Sequence, residues 1–198
     1  MNVTVAVTGA SGALLAQQLL RSLEADARVS GVDFVASEGA LRVIAEELHL
    51  SGRNELVEKL LGAAAKKTRT YPEQDIGASM ASGSYPSAGM IVLPCSMGTL
   101  AGIANGMARN LIERAADVCL KERRPLLLCV RETPFNKIHL RNMQLAADAG
   151  ATIFPVIPSF YNEPATTADM VRNYVDRVLA HFGLPQPGAF VWKPGTPK

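Results

Sequence analysis

Val3-Thr-Val-Ala-Val-Thr8 runs directly into Gly9-Ala-Ser-Gly12, and a helical pattern of apolar residues continues from there to Leu23. Valine, threonine and alanine in succession favour a buried strand, and two glycines in the next four residues let the chain turn tightly. A strand, a Gly-containing turn and a helix, in that order, aim the free backbone amides of the helix's first turn at an anion. The third glycine of a dinucleotide fingerprint is missing, since Leu14 and Leu15 follow Ala13, and no acidic ribose partner is evident about 20 residues on. The turn therefore suits a mononucleotide; the plain alternative is a tight turn that binds nothing.

Working outward, further strand-like runs lie at 32–36, 89–94, 125–130 and 152–154. Helical periodicity marks 12–23, 39–48, 55–65, 111–121, 137–149 and 168–182. Near-continuous apolar strands alternating with helices predict an α/β fold, a doubly wound parallel sheet covered by helices on both faces. Residues 73–87, rich in Gly, Ser, Ala and Pro, read as a long functional loop. Residues 185–198 carry four of the twelve prolines plus Trp192. They are expected to form an extended tail behind a single domain of residues 1–184.

A second anion signal surrounds the apolar run Pro125-Leu-Leu-Leu-Cys-Val130. Arg114-Ala-Ala-Asp117 and Lys121-Glu-Arg-Arg124 precede it and Arg131-Glu-Thr-Pro134 follows it, which places charge around a buried strand. Two anion sites imply a phosphorylated cofactor and a phosphorylated substrate.

Composition narrows the alternatives. A chain of 198 residues buries roughly 70% of its unfolded surface as one domain. Its 48% hydrophobic content is high for a monomer of this size, which predicts a homo-oligomer. A formal charge of +2 without long basic runs gives no support to nucleic-acid binding. Cys95, Cys119 and Cys129 are odd in number and lack CxxC spacing, which argues against a disulfide framework or a zinc site and for a reducing cytoplasm. No apolar stretch reaches the roughly 18 residues of a membrane span, and no basic leader precedes the first strand.

Thr8-Gly-Ala-Ser-Gly12, Cys95-Ser-Met-Gly-Thr99, Asn110-Leu-Ile-Glu-Arg-Ala-Ala-Asp117, Leu120-Lys-Glu-Arg-Arg-Pro125, Arg131-Glu-Thr-Pro134, His139-Leu-Arg-Asn-Met143 and Phe160-Tyr161 occur in this order. Together they resemble the UbiX-type flavin prenyltransferases, from Val3 to about Trp192. The resemblance implies a flavodoxin-like doubly wound fold, bound FMN, a dodecamer, and alkylation of reduced FMN by dimethylallyl monophosphate. It implies that Gly9, Ala10 and Ser11 touch the flavin, that Ser37 meets its phosphate or ribose, and that Arg131 contacts it as well. Ser96, Met97, Gly98 and Thr99, at a strand terminus where doubly wound sheets collect ligands, form a second flavin wall. The donor's phosphate falls to Arg114, Lys121, Glu132, Tyr161 and Arg177, and Ser82-Gly83-Ser84 lines the donor pocket.

Each assignment competes with a plainer one. Ser37 is also a helix N-cap, worth about 1 kcal/mol, and both roles fit one residue. Lys121 to Arg124 form a helix C-terminus, where cations offset the dipole by about 0.3–1 kcal/mol each; Arg123 and Arg124 keep that reading. Arg177 alone is an ordinary surface residue. Trp192 and Phe160-Tyr161 serve equally as core aromatics or as an electron-rich wall for an allylic cation. His49, His139 and His181 show no ligand spacing.

Of the adjacent pair Glu46 and Glu47, the resemblance selects Glu47 as the base that removes the flavin C6 proton, with Ser11 assisting. Lys121, Arg114, Arg177 and Tyr161 neutralise the departing phosphate, and Glu132 protonates or hydrogen-bonds it, so no metal is required. The product is then prenylated FMN for a UbiD-type decarboxylase. The nearest rival is a flavin-dependent decarboxylase of cysteinyl substrates, which needs a histidine where residues 75–84 have none. A non-catalytic flavin carrier leaves the Lys121, Glu132 and Arg177 set without purpose. Ile76 stands where some relatives carry an aromatic.

Overall fold

The computed structural model describes residues 1–192, which divide into two compact units meeting in the chain after Val156. In the first unit the strands are β1 (Asn2–Val7), β2 (Gly31–Ala36), β3 (Thr68–Tyr71), β4 (Ser87–Cys95), β5 (Leu126–Val130) and β6 (Thr152–Ile153). Its helices are α1 (Ala13–Ala25), α2 (Glu38–Leu48), α3 (Leu56–Leu61), α4 (Met97–Ala104), α5 (Leu111–Lys121) and α6 (Lys137–Asp148). The second unit holds α7 (Thr167–His181), started by a capping box between Thr166 and Asp169 and buried along Tyr174, Val175, Val178 and Leu179.

All strands are parallel and lie in the order β3-β2-β1-β4-β5-β6. The chain winds outward from β1 to β3, then returns past β1 to build β4, β5 and β6. The winding direction therefore reverses between β1 and β4, and the crevice beyond their carboxyl ends is where such sheets bind ligands. Thr8, 1% exposed, fastens that junction: its hydroxyl donates to the Pro94 carbonyl at 2.9 Å and accepts from the Ser96 amide at 2.7 Å.

Burial explains the rest of the scaffold. Val3, Val5, Phe34, Ile91 and Leu93 on the sheet, and Leu19, Leu20 and Leu23 on α1, are almost wholly buried. Met90, Val92, Leu126 and Leu128 pack in one cluster with Leu100, Leu111 and Ile112 of α4 and α5. Each such side chain contributes about 1.5–3 kcal/mol. The expected strands and helices are all present. The structure adds β3 and α4, shortens the third helix to Leu56–Leu61, and gives the 73–87 loop a short 3-10 turn at Ser79–Ala81.

Candidate active site

Three helices, α1, α2 and α4, begin at the carboxyl edge of the sheet, directly after β1, β2 and β4. Gly12 ends the first turn with φ 132°, a conformation favouring glycine, and serves as the N-cap of α1. Ser37 caps α2 by accepting the Ala40 amide at 3.1 Å, and Ser96 caps α4 by accepting the Thr99 amide at 3.3 Å. The start of α2 lies against the first turn so closely that a Cβ on Gly9 would sit 3.1 Å from Gly39 Cα. Its end returns to the same turn: Glu47 accepts the Gly12 amide at 3.1 Å and the Ala13 amide at 2.7 Å. Of the two adjacent glutamates it is therefore Glu47 that meets the α1 N-terminus, beside Ser11, where the helix dipole favours a carboxylate.

The fourth wall of this edge comes from β5. The Arg131 amide donates to the Cys95 carbonyl at 3.2 Å, and its Nε reaches the Ser11 carbonyl at 3.3 Å. Gly9, Ser11 and Gly98 are exposed, and a Cβ on Gly98 would meet no atom within 4 Å. Open space beside the N-termini of α2 and α4 and one guanidinium, with the first α1 amides taken by Glu47, fits a phosphate-bearing aromatic mononucleotide. Glu132 is exposed at the same edge, its Oε1 accepting the Thr133 amide at 3.0 Å.

Arg114 and Lys121 lie on α5 instead. Arg114 donates to the Ala81 carbonyl at 3.1 Å and pairs with Asp117 at 2.8 Å. Two turns further, about 10 Å along the helix, Lys121 pairs with Glu122 directly over Gly83, where an added Cβ would collide with both side-chain ends. Arg124 is not a solvated helix-end cation, as its sequence position suggests. It clamps the loop through the Gly83 and Tyr85 carbonyls at 2.5 and 2.8 Å. Ser82 and Ser84 share a hydrogen bond at 2.9 Å within that loop.

Within one chain these two groups stay apart. Lys121 precedes β5 and Glu132 follows it, so the five-residue strand, about 16 Å long, separates them. The structure thus brings together Gly9, Ala10, Ser11, Ser37, Glu47, Ser96, Met97, Gly98, Thr99, Arg131 and Glu132 at one sheet edge. Arg114, Lys121 and the 82–84 loop form a second group on α5. In the second unit, Tyr161 packs edge-on to Trp192 at 5.9 Å and tilted against Phe190 at 5.3 Å, and Arg177 lies exposed on α7.

A buried carboxylate to which the sequence assigned no role lies at the start of α5, against α4. Glu113, 2% exposed, accepts the Arg109 amide at 2.9 Å and its Nη2 at 2.6 Å. Burial pushes its pKa up, but the Arg109 hydrogen bonds and charge outweigh that and hold it below its ordinary value. The Asn110-x-x-Glu113 spacing after a break is the signal: Asn110 caps α5 by accepting the Glu113 amide at 2.9 Å.

A fold that reverses between β1 and β4, with three helix N-termini at an open crevice, defines a mononucleotide-binding α/β protein. The flavoprotein family model matches residues 1–181. Flavin prenyltransferase UbiX of Salmonella typhimurium is 46% identical over 183 residues, covering 92% of either chain. A dodecameric FMN-dependent UbiX-like decarboxylase from Escherichia coli O157:H7 superposes with a TM-score of 0.87 at 42% identity, over 98% of this chain and 100% of its own. AnUbiX (PadA1), solved in complex with FMN and dimethylallyl pyrophosphate, gives 0.88 at 38% identity over 98% of each chain. The chain belongs to the flavoprotein family and, within it, to the UbiX flavin prenyltransferases.

Proposed function

We propose that this flavin prenyltransferase joins the dimethylallyl group of dimethylallyl monophosphate to N5 and C6 of FMN, and that the prenylated flavin then serves a UbiD-type decarboxylase. When bound, reduced FMN supplies the two nucleophilic positions. The chain's residues do the rest. The crevice between α1, α2 and α4 holds the flavin with Gly9, Ala10, Ser11, Ser37, Ser96, Met97, Gly98, Thr99 and Arg131. Lys121 and Arg114 neutralise the departing phosphate, and the family resemblance adds Tyr161 and Arg177. Glu132 donates a hydrogen bond or proton to the leaving oxygen. Glu47, seated at the α1 N-terminus next to Ser11, takes the proton lost from C6.

The single observation that carries this reading is the Glu47 carboxylate on the Gly12 and Ala13 amides, which puts a base at the edge of the proposed flavin crevice. The separation of Lys121 from Glu132 fits a site assembled head to tail, with the α5 group of one copy facing the carboxyl edge of another in a closed oligomer, a dodecamer by family resemblance. A cysteinyl decarboxylase gains no support, because residues 75–84 offer no histidine.

The test is incubation with reduced FMN and dimethylallyl monophosphate, followed by mass analysis of the extracted flavin. The expected result is a mass gain of one five-carbon unit, with the phosphate released. Unaltered flavin at full occupancy would contradict the reading.

A further inference from the structure

Both α5 cations assigned to the donor phosphate already carry a carboxylate from their own helix or its cap. Arg114 pairs with Asp117 at 2.8 Å, and Lys121 pairs with Glu122. Helix stability does not call for an acid at position 122. Glu122 is the C-cap of α5, where the helix dipole opposes negative charge. The Lys121 hydrogen bond and charge hold its carboxyl below the ordinary range, so it is ionised at neutral pH.

The pair is also seated, not free in solvent. Arg124 fixes the Gly83 and Tyr85 carbonyls and Arg114 fixes that of Ala81, which holds Gly83 beneath the two side-chain ends. All four charged side chains of the two pairs remain about one-third to one-half exposed. Pairs of that kind are weak and readily exchanged for a better partner.

We propose that Glu122, supported by Asp117, is a specificity-determining counter-ion that holds Lys121 until the donor's phosphate replaces it and limits how much negative charge the donor brings. This rests on the assignment of Lys121 and Arg114 to the donor phosphate. The two pairs are neutral together, and the Arg124 charge beside them is directed to the Gly83 and Tyr85 carbonyls, so without Glu122 the group would be more cationic. A phosphate monoester carries about −1.5 to −2 at neutral pH, and a diphosphate adds further charge beside the same fixed carboxylates. The arrangement favours the monophosphate.

Steady-state kinetics of Glu122→Gln, Glu122→Asp and Asp117→Asn, with dimethylallyl monophosphate and diphosphate as alternative donors and reduced FMN saturating, test the proposal. Lys121→Ala runs alongside as the control for the site itself. Glu122→Gln should lower KM for the monophosphate about twofold, and for the diphosphate about fivefold, in keeping with the modest strength of half-exposed pairs. The change should fall on KM more than on kcat. Asp117→Asn should shift the ratio the same way, and Glu122→Asp should restore it. If Lys121→Ala raises donor KM while Glu122→Gln leaves the ratio between donors unchanged, the counter-ion role is wrong and the donor site stands. If Lys121→Ala leaves donor KM unchanged, the donor site and this inference fall together.

Discussion

Glu47 has a structural role in the fold and a chemical one by proposal. Its carboxylate receives two backbone amides at the α1 N-terminus, a geometry that fixes it beside Ser11 without help from the ligand. Glu47→Gln keeps an oxygen for those amides but removes the charge that can accept a proton. The variant should retain its fold and flavin binding, and accumulate flavin bonded to the donor at N5 alone. Trapping and mass analysis with a C6-deuterated flavin check this, because the deuterium must remain in the stalled product; full turnover would remove Glu47 from the mechanism. Its identity as a candidate was legible from the resemblance, but its partner was not. Nothing in a helix's periodicity reveals that its last turn folds back on a turn 34 residues earlier.

At the scale of elements, Glu113 ties the loop before α5 to its first turn. A Cβ on Gly102 of α4 would collide with the Glu113 carboxylate, so α4 and α5 meet around this ion pair. Glu113→Gln should cost about 1.5–3 kcal/mol, the range for hydrogen bonds to charged groups, read by denaturant midpoint at neutral pH. The sign of the pH effect follows from the lowered pKa. The stabilisation is full above the ordinary glutamate value of 4.5 and is lost as pH falls through the depressed folded value. Wild type and variant should therefore converge in stability in strong acid; a constant gap from pH 7 down through that range would show that the charge is not what Glu113 contributes.

The same scale explains what the sequence concealed. β3 reads Thr-Arg-Thr-Tyr and buries none of its four residues fully, since it is an edge strand. It is held by polar contacts from Glu24, which accepts the Lys67 amide at 2.7 Å and the Thr68 hydroxyl at 2.6 Å. Periodicity searches for apolar runs pass over such a strand. α4, Met-Gly-Thr-Leu-Ala-Gly-Ile-Ala, is apolar on most sides and carries two glycines, so it presents no polar face to contrast with a buried one. The strands β1, β2, β4 and β5 were legible because they are buried on both faces and read as near-continuous apolar runs, interrupted by Thr4 in β1 and Asp33 in β2.

For the whole molecule, the question is where the site is completed. Within the first unit, Ile138 and Leu140 on α6 are 58% and 54% exposed, and Phe135 before it is 38% exposed, an apolar surface that suits contact between copies. Residues near each other in sequence, Lys121 and Glu132, stand at opposite ends of a strand, whereas Gly83 and Lys121, far apart in sequence, are adjacent. The resemblance names the members of the proposed constellation but not the copy each comes from, and β5 between them sets Lys121 and Glu132 at opposite edges of the sheet.

Subunit complementation tests this most directly. Lys121→Ala and Glu132→Ala variants, each nearly inactive alone, are unfolded together, reassembled as mixed oligomers, and assayed for prenylated flavin by mass. If Lys121 and Glu132 of a site come from different copies, roughly a quarter of the sites in a one-to-one random assembly contain both native residues, and activity should return to about that fraction of wild type. Mixed oligomers as inactive as either parent would contradict the account.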